Sequence, residues 1–388
     1  MGQNARRTAA VTAGKAPAMT PRERLLAAFR RQVCDSVPFA PVVEGYFQAS
    51  LPDGFKRHAA DISFELAGHA LVRTHVLKLN TPLWVGAYAV DLPQGIEQEL
   101  RVDAGDLIHR VDTPAGSLTC RLRLAPESPY MPWIIEYRIR TLDDVKTFQY
   151  LLEHTRCELW TDYFNGQDEY VGERGLVVVA GPPSPLQQMI NFDMGLETVI
   201  YMLADHPDEM NEMLETFHAK QLEMWKVMAE MPAEIFFIHD NLSSTTTSRA
   251  MYRRYDRRYV NAYADVLHAA GKKLITHWCG KLAAFSEDFA EARHDGVSEV
   301  APPPTGDTDI VEARKTWAAP FIMMGGIDPN LFASGTTAEM EEYVEDLLGR
   351  MGPDRRGFIL GSGDAVPFGT PPENVRAAAA VAARFPVD

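Results

Sequence analysis

From residue 176 onward this chain alternates short apolar runs with helix-length stretches, and no other feature constrains its fold as strongly. The apolar runs cover residues 176–180, 235–238, 273–279, 297–301, 321–325 and 357–361. Helical stretches lie between them, at 207–230, 248–270, 281–293, 309–317 and 337–351. Strand, helix, strand, helix is the pattern of parallel β/α architecture. A strand at 39–43 and another near 71–79 bring the count to about eight, the number that closes a (β/α)8 TIM barrel. The expected fold class is therefore α/β, with one barrel spanning residues 19–388.

Residues 95–140 break the alternation. The segments 107–111, 118–124 and 133–139, with Thr113-Pro114-Ala115-Gly116 as a turn, predict an antiparallel insertion in the N-terminal half. At the start of the barrel, Thr20 is placed to cap a helix, Pro21 suits its first position, and Glu23 completes a capping box. Residues 1–18 are rich in Ala, Thr and Gly, and they read as a disordered extension.

Composition narrows the function. At 388 residues, with 46% hydrophobic and 23% charged residues, the chain is of the soluble globular class. A net charge of −15 argues against nucleic acid or an anionic membrane as partner. No apolar run is long enough to span a bilayer. Cys34, Cys120, Cys157 and Cys279 have no framework spacing, which predicts a reducing, cytoplasmic setting.

The ends of the expected strands carry the chemistry, because in β/α barrels the active site forms at the C-terminal ends of the strands. His277 and Cys279 alternate on one face of a strand while Trp278 points away toward a helix. Imidazole with thiolate favours zinc over calcium or magnesium. Glu299 ends the next run, and Asp328 and Asp364 follow the last two. Asp328 and Asp307 read most simply as helix caps. Asp240 and Asn241, after the run at 235–238, are candidates for orienting substrate or for acid/base work, with a capping role for Asp240 as the plain alternative. The neighbouring His239, of opposite parity, is expected outside the barrel. Arg253, Arg254, Arg257 and Arg258 read as a solvated helix face.

Several of these motifs resemble the uroporphyrinogen decarboxylase superfamily. At the N-terminus they are Thr20-Pro21-Arg22-Glu23-Arg24 and Asp35-Ser36-Val37-Pro38. At the C-terminus they are His277-Trp278-Cys279-Gly280, Gly325-Gly326-Ile327-Asp328-Pro329, Gly363-Asp364-Ala365-Val366-Pro367 and Thr370-Pro371-Pro372-Glu373-Asn374. The resemblance covers roughly residues 20–385 and implies a (β/α)8 barrel. Its decarboxylase branch carries N-terminal arginines for substrate carboxylates, whereas the matching segment here holds Glu44 and no arginine. Its zinc-dependent, cobalamin-linked methyltransferase branch carries a His-x-Cys pair and a later Cys, and the related cobalamin-independent methionine synthase adds a Glu between them. The resemblance thus implies a metal held by His277, Cys279, Glu299 and Asp364, with Asp364 standing where that branch has its second thiolate.

An oxygen ligand there makes the set harder, so manganese, iron or cobalt join zinc as candidates. The implied function is methyl transfer, or demethylation of a small methylated substrate, together with a corrinoid protein. The methylcorrinoid would be carried by that partner, with a small molecule or thiol as the other substrate and a homodimer as the expected assembly. A carboxy-lyase, another metal-dependent barrel enzyme and a non-catalytic binding protein are the alternatives.

Overall fold

The structure is a computed structural model that describes residues 18–87, 89–125, 128–317 and 321–388, with residues 128–131 as backbone only. All but the last residue of the expected 1–18 extension lies outside the described residues. In chain order the strands are β1 (Ala70–His75), β2 (Leu77–Leu79), β3 (Glu97–Asp103), β4 (Asp106–Thr113), β5 (Gly116–Ala125), β6 (Ser128–Glu136) and β7 (Cys157–Leu159). They continue with β8 (Gly175–Gly181), β9 (Ile235–Ile238), β10 (Lys273–His277), β11 (Gly296–Val300), β12 (Ile322–Ile327) and β13 (Phe358–Ser362).

A seven-stranded parallel sheet, ordered β1-β8-β9-β10-β11-β12-β13, forms the barrel wall. Its strands are buried along nearly their whole length from β8 onward, as expected of parallel strands covered on both faces. Residues 39–42 occupy the eighth place, where Phe39 bridges Leu360 and Val42 bridges Ala365, both parallel. These are single bridges and not a continuous strand. Pro38 and Pro41 flank Phe39 and Ala40 and have no N–H to offer a ladder. The segment expected near 71–79 divides at Val76. β1 joins the barrel, while β2 turns out to pair antiparallel with β7.

The end of the barrel opposite the strand C-termini is sealed by the helix Pro21–Phe29. Its Leu25 and Phe29 pack with Val178, Phe237, Ile275, Met324 and Ile359 from the strands, layering the interior as barrels do. Thr20 and Glu23 form the reciprocal capping box that starts this helix. Arg24 then grips Asp35 with two bonds of 2.6 and 2.9 Å, so the N-terminal motif is a clasp around the barrel floor.

Two expected helices differ in the structure. The stretch 248–270 is two helices, Arg249–Tyr255 and Arg257–Ala269, separated at Asp256. The stretch 281–293 forms only the short 3-10 turns Ala283–Phe285 and Asp288–Glu291. Asp307 accepts the amides of Leu282 and Ala283 at 2.7 and 3.1 Å, where the first of these turns begins. Asp288 draws Arg249 and Arg253 onto its carboxylate, Arg257 bonds Glu291, and Arg258 bonds Glu215. The arginine-rich helix face is thus met by the protein's own acids.

β3 to β6 form a four-stranded antiparallel sheet in the N-terminal half. It packs through Ile108, Val111, Leu118 and Leu122 and rejoins the barrel at Arg138, which is 2% exposed and bonds Asp193, 0% exposed, at 2.7 Å. Arg138 also donates to the carbonyls of Pro82 and Leu83. Removing one partner of a buried ion pair leaves the other charge stranded, so Arg138→Met should cost about 3–5 kcal/mol in urea unfolding. The double variant Arg138→Met/Asp193→Leu should regain much of that loss, and equal destabilisation of the two would contradict this account.

Candidate functional site

His277 closes β10, and Cys279 lies two residues further on the same face. Trp278 between them is fully buried on the other side, stacked on Phe289 with ring centroids 5.1 Å apart and edge-on to Tyr252 at 5.9 Å. From beyond β13, Asp364 reaches the same point. One ligand atom each of His277, Cys279 and Asp364 lie within 4.8 Å of one another. Ligands at about 2.0–2.3 Å from a tetrahedral zinc stand about 3.3–3.8 Å apart. A nitrogen, a sulfur and a carboxylate oxygen at this spacing therefore fit a cation with small side-chain adjustment.

Glu299, the fourth expected ligand, stands elsewhere. Its Oε2 accepts from His277 Nδ1 at 2.6 Å, and its Oε1 accepts from Arg73 of β1. Its backbone explains how it reaches them. His277 is in register with Ser298, so an unbroken ladder would send Glu299 outward with Trp278. Instead the register slips between Val297 and Val300, and Glu299 adopts φ 58°. Such a left-handed residue with a side chain costs on the order of 1–2 kcal/mol. The bulge needs space on the next strand, which Gly325 provides: a Cβ there would meet Val300 N and O at 2.6 Å.

Charge follows from this geometry. Burial alone would push Glu299 up, but Arg73 and His277 outweigh it and hold the carboxyl well below the usual range. Burial likewise opposes a charged His277, yet the Cys279 and Glu299 charges raise it well above the ordinary imidazole value. Burial pushes the Cys279 thiol up, against the pull of His277. A cation bound here would have to displace protons, so its affinity should fall as pH falls.

His239, expected outside the barrel, faces into it. Ile238 is in register with Thr276, which sets His239 beside His277. The ring centroids of His239 and His277 are 5.8 Å apart, and those of His239 and His75 are 6.1 Å apart. Burial, and then Arg73 and the two other imidazoles, hold His239 neutral. Arg73 and the His75–His239 pair had no motif to announce them; only the strand register could have found them. Asn241 contacts the site, with its Oδ1 3.8 Å from Cys279 Sγ.

Asp240 is fully buried. Its Oδ1 accepts from Ser184 N, at 2.5 Å, and pins the loop after β8. Burial, and then the neighbouring Asp256, raise its pKa well above the carboxylate range, while burial lifts Asp256 to about 6. Asp240 Oδ2 and Asp256 Oδ1 are both buried with no hydrogen-bond partner among the described residues, so ionising both acids at once is unfavourable. Asp328 caps the helix Pro329–Ser334.

With the geometry established, this is a β/α barrel with a cation-capable triad at its C-terminal mouth. The uroporphyrinogen decarboxylase (URO-D) family pattern matches residues 98–385, and the chain belongs to that family. Among solved structures, a methyltransferase from Methanosarcina mazei is similar at 16% identity and TM-score 0.59, over 94% of this chain and 98% of that one. A broad-specificity endoglucanase from Clostridium longisporum overlaps at 11% identity and TM-score 0.36, over 58% of this chain and 76% of its own. No curated protein sequence matches the chain.

The acid pair gives a pH test. Because folding raises the pKa of Asp256 from 3.8 to about 6, its contribution to stability is fully present below the lower value and is lost as pH rises to the upper. Asp256→Asn, which gives Asp240 a permanent N–H donor, should remove this component. The difference in Tm between variant and parent should shift in the variant's favour between about pH 4 and 6. A difference independent of pH would contradict a raised Asp256 pKa.

Proposed function

We propose that this protein is a metal-dependent methyltransferase that moves a methyl group between a small substrate and a corrinoid carried by a partner protein. The observation that carries the reading is the meeting of His277, Cys279 and Asp364 at the barrel mouth. Family membership and the fold shared with a methyltransferase over nearly the full length of both chains support it. Zinc is the first choice of metal, with manganese, iron or cobalt also suited to the oxygen of Asp364.

The triad supplies three ligands and leaves a position open to substrate. When bound, the metal would act as a Lewis acid on the substrate heteroatom. The remaining work belongs to the chain. The bond from His277 Nδ1 to Glu299 leaves Nε2 as the nitrogen free to bind a metal. Asn241, beside Cys279, is placed to steady the sulfur or to contact substrate. The neutral imidazoles of His75 and His239 form the adjoining wall.

A decarboxylase would need cationic groups free for substrate carboxylates. Arg73, which faces the site, is already engaged by Glu299, and this favours methyl transfer. Asp364, in place of a thiolate, points toward a substrate with an oxygen or nitrogen donor.

Elemental analysis of protein purified without added metal should find about one equivalent, lost in His277→Ala. Consumption of methylcobalamin in the presence of candidate acceptors should fall more than about 100-fold in the same variant. Asp364→Cys should retain metal but shift preference toward thiol acceptors. No stoichiometric metal in the parent protein would end this reading.

A further inference from the structure

We infer that Glu299 is a positioning residue that acts on the metal through His277, with Arg73 as its counter-ion, and is not itself a ligand. The inference rests on the metal reading above. Both carboxylate oxygens of Glu299 already have partners, Oε2 on His277 Nδ1 and Oε1 on Arg73, whereas the ligand atoms of His277, Cys279 and Asp364 cluster without it. A carboxylate that accepts from the distal nitrogen of a histidine fixes the ring's tautomer and rotation and increases its basicity as a ligand.

The backbone is shaped for this task. The slipped register around Glu299, its left-handed φ of 58° and the side-chain-free Gly325 opposite together turn toward the bore a residue that the regular ladder would point outward. Bulges recur beside active sites because they re-aim single side chains in this way. Arg73, stacked over Phe237 at 4.6 Å, holds the far oxygen from β1. Glu299 therefore cannot swing toward the triad without breaking a buried ion pair.

The test uses the full-length protein, with Zn2+ affinity measured by competition with a chromophoric chelator and Co2+ as a spectroscopic probe. Glu299→Gln should bind Zn2+ about 10–100-fold more weakly. Its Co2+ ligand-field bands and thiolate charge-transfer band should keep the parent's energies and intensities, because the ligand set is unchanged. Arg73→Gln, which leaves Glu299 in place, should give a smaller loss in the same direction, with thermal melts confirming that both variants fold. Unchanged affinity in Glu299→Gln would overturn the inference while leaving the metal site standing. A Co2+ spectrum altered in energy or intensity would overturn it by making Glu299 a ligand. If the parent takes up neither Zn2+ nor Co2+, the metal reading fails and this inference falls with it.

Discussion

The barrel mouth is organised around one buried carboxylate. Glu299 is 2% exposed, and an ion so placed loses several kcal/mol of hydration. Arg73 and His277 offset that loss from opposite sides, one from β1 and the other from β10. β1 and β11 are separated in the sheet by β8, β9 and β10, so the Arg73–Glu299 bond crosses the bore and does not run along the wall. It ties the first barrel strand to the side that carries the triad. The same bond sets the charge of the wall around it, since Arg73 also lowers His239 and works against the burial that raises Glu44.

This arrangement changes the electrostatics of any metal held there. If Glu299 were a ligand beside Cys279 and Asp364, three anions would surround a dication and weaken its pull on substrate. With Glu299 balanced by Arg73, the ligand charge falls to that of one thiolate and one carboxylate, which a dication neutralises. Replacing a second thiolate by Asp364 then leaves the net charge as it was and alters only the hardness of the site. The departure at Asp364 thus bears on which donor atom the substrate presents more than on whether the metal can act.

How much of this could be read from the sequence follows from where strand periodicity holds. The runs after residue 176 and the alternation of His277, Trp278 and Cys279 are regular, and the fold and the core pair of the triad were legible there. Glu299 could be named from resemblance, but its place could not, because the slip between Val297 and Val300 breaks the rule of two on which parity arguments depend. His239 and Asp240 show the complementary difficulty. Both lie just past the end of β9, where parity has no anchor until the partner strand is known, and only the register with β10 settles which faces inward. The break at Asp256 was hidden as well, since helical spacing on either side of it is good. At the break Asp256 meets Asp240, a neighbour far along the chain.

That contact gives Asp240 a structural role behind the site. Asp240 accepts from Ser184 N and lies beside Asp256, while Gln187 donates to Asp256 at 2.8 Å. The consequence is mechanical. The loop after β8, the start of the next helix and the break between Arg249–Tyr255 and Arg257–Ala269 are fastened to one point behind the site. Asn241, the next residue, is thereby fixed where it meets Cys279. On the opposite rim, residues 38–42 close the barrel against β13 and the turn after it, through Ala40 N to Leu360 O, Leu360 N to Pro38 O and Val366 N to Val42 O at 2.8–2.9 Å and Val42 N to Ser362 Oγ at 3.1 Å.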